Sequence, residues 1–79
     1  MDGNQSVIAM REYGEIHIRL RELLEQRNMK RNELARAANT RFEVVDKWYR
    51  DSVEKIDLDV LARFCFVLDC GIEDILEYK

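Results

Sequence analysis

Apolar positions along the chain fall into five helical stripes separated by polar punctuation. Ile16, Leu20, Leu23 and Leu24 keep the i, i+4, i+7, i+8 spacing of one buried face, which predicts a first helix from about Ile16 to Arg27. Arg19, Arg21, Glu22 and Glu25 fall on its wet side, and Asn28, which tolerates a left-handed backbone, ends it. A second helix is predicted over about Lys30 to Ala38, with Leu34 and Ala35 inward and Ala37 and Ala38 keeping the packing close. Asn39 sits at the turn that follows, the next best residue after glycine for a positive φ. The third helix runs from about Arg41 or Phe42 to Arg50, with Val45, Trp48 and either Val44 or Tyr49 as its inner stripe. Residues 51–57, DSVEKID, form a polar loop whose last residue, Asp57, is a good N-cap for a fourth helix, Leu58 to about Asp69. Gly71 closes that region, and a short fifth helix from Ile72 to about Tyr78 presents Ile72, Ile75 and Leu76. Five helices with short links and no strands of consequence predict an all-α bundle over residues 16–79. Residues 1–15, weakly periodic, read as an N-terminal arm.

Composition agrees with a small helical domain. The chain has 79 residues, 47% hydrophobic and 37% charged, with no Pro and three Gly. A domain of this size buries only about 60% of its unfolded surface, so its core is thin. No apolar run approaches the length of a membrane span, and nothing resembles a signal peptide. Cys65 and Cys70, five residues apart on a helix, make a poor disulfide pair, and His17 is the single histidine, so no metal set is present. Two reduced thiols suit a cytoplasmic compartment. There is no nucleophile–base pair and no glycine loop to cradle phosphate, which points away from an enzyme. No cofactor is implied, and there is no evident pocket for a small-molecule effector.

Net charge is −3, which taken alone disfavours nucleic acid. Its distribution reverses that. Residues 16–50 hold nine Lys/Arg against five Asp/Glu, whereas residues 51–79 hold three against eight. Basic charge gathers on the second and third helices, the footprint expected of a nucleic-acid-binding segment.

The spacing within residues 30–50 carries the most information. A Leu-Ala pair at 34 and 35 is followed by Asn39, then Val45, then Trp48. Small Ala35 lets two helices cross closely, Asn39 reverses the chain, and Val45 with Trp48 pins the third helix by one face. Positions 42, 43, 46 and 47 are left pointing outward, where a helix lying in a groove would meet base edges. In this respect the chain resembles the Cro/C1-type helix-turn-helix regulators, the xenobiotic-response-element family, whose fold is the five-helix lambda-repressor-like bundle. The resemblance spans roughly Ile16 to Tyr78 and includes ELARAAN, VVDKWYRD and KIDLDVLARFCFVLDCGIEDILEY.

The resemblance implies a sequence-specific regulator of transcription whose partner is double-stranded DNA. By position it places Arg31, with Lys30 and Asn32 beside it, near a phosphate or base. It places Phe42, Glu43 and Lys47 at base-reading positions, and Arg41, Arg50 and Lys55 near backbone phosphates. The sequence departs from the family at Asn39 and Asp51, where members carry Gly, and at Leu24 and Tyr49, where many carry a buried Arg–Glu pair. The Ser, Thr or Gln common on the reading face are also absent.

Two readings of that face stay open. Glu43 and Asp46 can accept from cytosine N4, and Phe42 can pack on a thymine methyl. They can equally be N-terminal helix charges favouring the dipole, with Asp46 paired to Arg50 at i, i+4. A separate alternative for the fold is a protein-binding module, antitoxin-like or partner-dependent, whose acidic third helix docks onto a basic partner or a toxin.

The fourth helix is apolar nearly all round. Leu58, Leu61, Cys65 and Leu68 make one stripe, while Val60, Phe64, Phe66 and Val67 lie outside it and only Asp59 and Arg63 form a polar sector. Such a helix needs a cover. A homodimer through Val60, Phe64, Phe66, Val67 and the last helix would supply it and suit a palindromic operator. The alternative cover is the N-terminal Val7–Met10 segment folding back.

Overall fold

The structure is a computed structural model that describes residues 13–79. In chain order its elements are β1 (Ile16–Ile18), α1 (Leu20–Gln26), α2 (Arg31–Ala37), α3 (Phe42–Tyr49), α4 (Leu58–Leu68), α5 (Ile72–Ile75) and β2 (Leu76–Tyr78). The five helices fall where the apolar periodicity puts them. The strands do not, and they correct the expectation at both ends. β1 and β2 pair antiparallel, with Ile16 opposite Tyr78, His17 opposite Glu77 and Ile18 opposite Leu76. Ile16 therefore leaves the expected helical stripe and stands 58% exposed, while Leu20, Leu23 and Leu24 carry the buried face of α1. The expected last helix likewise stops at Ile75. Pairing continues beyond the strands, because Glu15 and Lys79 exchange two backbone hydrogen bonds of 2.9 and 3.0 Å. Gly14 lies so close to Lys79 that a Cβ would meet its carbonyl oxygen at 2.6 Å. The expected boundary between arm and domain thus runs through residues the sheet already holds. The Val7–Met10 segment lies outside the described residues.

One apolar cluster joins all five helices. Leu20, Leu24, Leu34, Val45, Phe64, Leu68 and Ile75 are fully buried. Trp48 of α3 meets Phe64 of α4 edge to face, with ring centroids 5.1 Å apart at 82°, a geometry the aromatic quadrupoles favour. This corrects the expected stripe of α4. Its inner row is Leu61, Phe64 and Leu68, and Leu58 turns out to be 76% exposed. Phe64 is removed from the candidate dimer surface, since it has no accessible face. Asp57 caps α4 as expected, its carboxylate accepting from the N–H groups of Asp59 and Val60 at 2.9 and 3.3 Å. Cys65 and Cys70 are free and half-buried, and burial raises the Cys70 thiol above its ordinary pKa.

Four helices end by one device. Asn28, Asn39, Asp51 and Asp69 take left-handed φ values of 55°, 53°, 56° and 50°. In each case the following residue's N–H reaches back five positions to a helix carbonyl: Met29 to Leu24, Thr40 to Ala35, Ser52 to Lys47 and Cys70 to Cys65, at 2.9–3.1 Å. These are the bonds that satisfy orphan carbonyls at a helix C-terminus. All four positions use Asn or Asp, the non-glycine residues that tolerate this backbone best. Asp51 has a second task. Its Oδ1 accepts the Ile18 N–H at 2.8 Å and its Oδ2 lies 3.1 Å from His17 Nδ1, so the end of α3 holds the outer edge of β1.

The two turn residues should therefore respond differently to glycine. Asn39→Gly is expected to leave unfolding free energy within about 0.5 kcal/mol of the parent, backbone relief offsetting the entropy of a freer unfolded chain. Asp51→Gly gains the same relief but loses two side-chain bonds, a net loss of about 1–2 kcal/mol. Urea unfolding of both variants checks the contrast.

Candidate nucleic-acid interface

The α2–turn–α3 unit owes its shape to a few side chains. Glu33 reaches back so that its Oε1 accepts the Lys30 N–H at 2.7 Å, which fixes the start of α2. Leu34 and Ala35 face the core, Asn39 reverses the chain, and Val45 and Trp48 seat α3 by its inner face. From the far side, Arg63 of α4 donates to the carbonyls of Ala38 and Asn39 at 3.2 and 3.1 Å, while its Nε donates to Asp59 at 2.9 Å. The turn is thereby tied to α4 through a residue that the sequence pattern assigned only to a polar sector. Arg27 similarly donates to the Leu68 carbonyl at the end of α4.

The residues left on the outer side of α3 match those expected from the spacing. Phe42, Glu43, Lys47 and Arg50 are exposed, Phe42 at 44%, and Asp46 is partly covered. What they touch divides them into two groups. Arg31, at the start of α2, reaches across to α3. Its Nη1 donates to Asp46 Oδ1 at 2.5 Å, and its guanidinium carbon lies 4.6 Å from the centroid of the Tyr49 ring and 5.6 Å from that of Phe42. Asp46 Oδ2 accepts from Arg50 Nε at 2.9 Å. One carboxylate thus holds two arginines from two helices. The Arg50 hydrogen bond is the main cause that lowers the Asp46 pKa, followed by the Arg31 hydrogen bond and the two charges, against a rise from partial burial.

The second group is unengaged. Among the described residues, the side chains of Glu43, Lys47, Arg41, Lys30 and Lys55 make no hydrogen bond or ion pair. Lys30 and exposed Asn32 flank Arg31 on α2, and Arg41 precedes α3 without capping it. Lys47 and Lys55 share a groove floored by Val44, Trp48, Val53 and Val60. The expected pairing of Asp46 with Arg50 is present. Its partnership with Arg31 and the stacking of Arg31 near Tyr49 were not foreseen, because they join α2 to α3 through space at no fixed sequence interval.

The comparisons with known proteins cover most of the domain that carries this unit. Residues 19–79 match the family model of the Cro/C1-type HTH DNA-binding domain. Among solved structures, the chain is similar to the transcriptional regulator VanUg (crystal form II), with a TM-score of 0.69 and 29% identity over 85% of this chain and 88% of that one. It is also similar to a candidate DNA-binding protein from Bacteroides fragilis, with a TM-score of 0.70 over 80% of this chain and 100% of that one; at 14% identity that likeness is one of fold. No curated protein matches it.

The carboxylate between two arginines makes a pH prediction. A lowered folded pKa means that Asp46 stabilises the fold above the ordinary aspartate range and loses that contribution as pH falls through its own lower range. An NMR titration of the Asp46 carboxyl carbon should give a midpoint below that of an aspartate in an unstructured peptide. Arg50→Ala and Arg31→Ala should each raise it.

Proposed function

Because the chain belongs to the Cro/C1-type helix-turn-helix DNA-binding family, we propose that it is a sequence-specific DNA-binding regulator of transcription that lays α3 in the major groove. The observation that carries this reading is the outer row of α3. Glu43 and Lys47 are exposed and unengaged, and free cations stand at both ends of the helix: Arg41 before it, Lys47 and Lys55 at its far end. Free Lys and Arg side chains are the groups that replace counterions along a phosphate backbone. Glu43 sits among them as an acceptor for cytosine N4. Away from its cytosine it is repelled by phosphate, so it trades non-specific affinity for choice. The name of VanUg, a transcriptional regulator of similar fold, supports the same role. The cytoplasm is the natural compartment for such a regulator, and no helix among the described residues is long and apolar enough to cross a membrane.

The regulator acts as a homodimer on a palindromic operator. Its support is the outer row of α4, where Leu58 is 76% and Phe66 87% exposed, with exposed Ala62 between them and Ile72 beside at 56%. Shallow grooves run along both flanks of Ala62, one lined by Leu61, Cys65 and Ile72, the other by Ala37, Ala38 and Val67. A ridge bordered by grooves suits packing against a copy of itself across a two-fold axis. Val67 is partly buried at its margin, whereas Val60 leaves the expected surface for the groove shared by Lys47 and Lys55. Relative to the expectation from sequence, the surface turns by about one residue, losing Phe64 and gaining Leu58.

Selection from a random duplex library at two salt concentrations tests the DNA reading. A palindromic motif is expected, with affinity falling steeply as salt rises. Unselective binding, or none, would instead favour a protein partner for the acidic Glu43 side of α3. The dimer has its own test. Phe66→Asp should convert the protein from dimer to monomer in sedimentation and reduce affinity for the full palindrome toward that for a half-site, with its helical circular dichroism unchanged.

A further inference from the structure

We infer that Arg31 reads a guanine and that Asp46 is its positioning residue, not a reader of bases. The inference rests on the DNA-binding reading above and refines which side chains choose the sequence.

Asp46 is occupied on both oxygens. Oδ1 accepts from Arg31 and Oδ2 from Arg50. Each oxygen keeps a second lone pair, but a cytosine N4 would have to share its oxygen with a charge-assisted bond already made, the strong kind. Phe42 is similarly engaged, since the Arg31 guanidinium lies near its ring. Of the four outward positions expected to meet bases, two therefore support Arg31, and the direct contact moves to the first residue of α2.

The manner in which Arg31 is held selects guanine over phosphate. Its guanidinium is fixed at one nitrogen by Asp46 and lies 4.6 Å from the Tyr49 ring centroid, close enough for cation–π attraction. A side chain that normally turns through many rotamers is thus held in a limited range, with its remaining N–H donors in a planar fork. That fork matches guanine O6 and N7, which accept two parallel bonds. A phosphate contact needs no such orientation, and many donors can serve it. The charge points the same way, because a guanidinium neutralised by a carboxylate gains less from the polyanionic backbone. Arg31 is 36% and Asp46 25% exposed at the side chain, so the pair is partly covered and still within reach of a ligand.

The experiment starts from the parent protein's selected motif, then measures binding to the best site and to its single-base variants. Arg31→Lys, Arg31→Ala, Asp46→Asn and the Arg31→Ala/Asp46→Asn double variant are compared, each first checked for the parent's helical signal. The parent should prefer guanine at one base pair per half-site by about 10-fold to 100-fold. Both Arg31 variants should lose that preference and keep the others, with an unchanged slope of affinity against salt. Asp46→Asn should weaken the preference at the same base pair, and the double variant should be no less selective there than Arg31→Ala alone. The inference is overturned if Arg31→Ala weakens every sequence equally and lowers the salt slope by about one ion, which marks a phosphate contact. It is also overturned if Asp46→Asn changes choice at a base pair that Arg31→Ala leaves intact, since Asp46 would then read that base itself. A parent that enriches no motif defeats the DNA reading, a failure seen before any variant is made. Slowed guanidinium rotation of Arg31 in the free parent, freed in Asp46→Asn, is the accompanying NMR signature.

Discussion

The seating of Trp48 against Phe64 is the contact on which the rest of the domain turns. A chain of this length has few apolar groups to spare, and the largest two meet between α3 and α4. Burying an aromatic side chain is worth about 1.5–3 kcal/mol in transfer terms, and the edge-to-face geometry adds about 0.5–1.5 kcal/mol. The consequence is directional as well as energetic. With Trp48 and Val45 inward, helical geometry leaves positions 42, 43, 46, 47 and 50 nowhere to go but outward. The outward face of α3 is thus a by-product of the core, and its polar residues are free to be chosen by what they touch.

The helix ends show a second economy. Four left-handed positions without a single glycine carry some local strain, yet Asn and Asp bring side chains that glycine lacks. At Asp51 that side chain ties α3 to β1. The sheet in turn joins the two ends of the described domain, so the end of α3, residue 15 and residue 79 belong to one bonded patch. Structure that looks peripheral in the sequence is coupled to α3 within two hydrogen bonds.

Much of this was legible in the residues. Period-3.6 stripes placed the five helices, Asn28 and Asn39 marked left-handed stops, and Asp57 marked a cap, because each signal is local. What was not legible depends on partners far away in sequence. Ile16–Ile18 has the right period to extend the first helix, and only Leu76–Tyr78, at the other end of the chain, makes it a strand. Phe64 lies about 120° of helical rotation from Leu58, and the place that Trp48 leaves for it decides which row is buried. At the candidate interface the outward row followed from spacing, but its internal pairing did not. Arg31 and Asp46 are fifteen positions apart, and nothing in either helix alone says that they meet.

The acidity of α3 then has a physical reading that composition obscures. The two carboxylates on α3 look alike in sequence, each adding one negative charge to its outer face. In the folded chain they differ. Asp46 is surrounded by two guanidinium groups and its charge is spent inside the protein, so locally Arg31, Asp46 and Arg50 sum to one positive charge. Glu43 has no such partner among the described residues, and its charge faces outward whole. The first carboxylate joins two guanidinium groups through one shared anion, so part of their attraction is already satisfied within the protein. The second keeps its hydrogen-bonding capacity unspent among the described residues. Net charge therefore describes this helix poorly: one of its two carboxylates is neutralised within the fold, so a chain with a net charge of −3 still presents a locally basic surface beside α3.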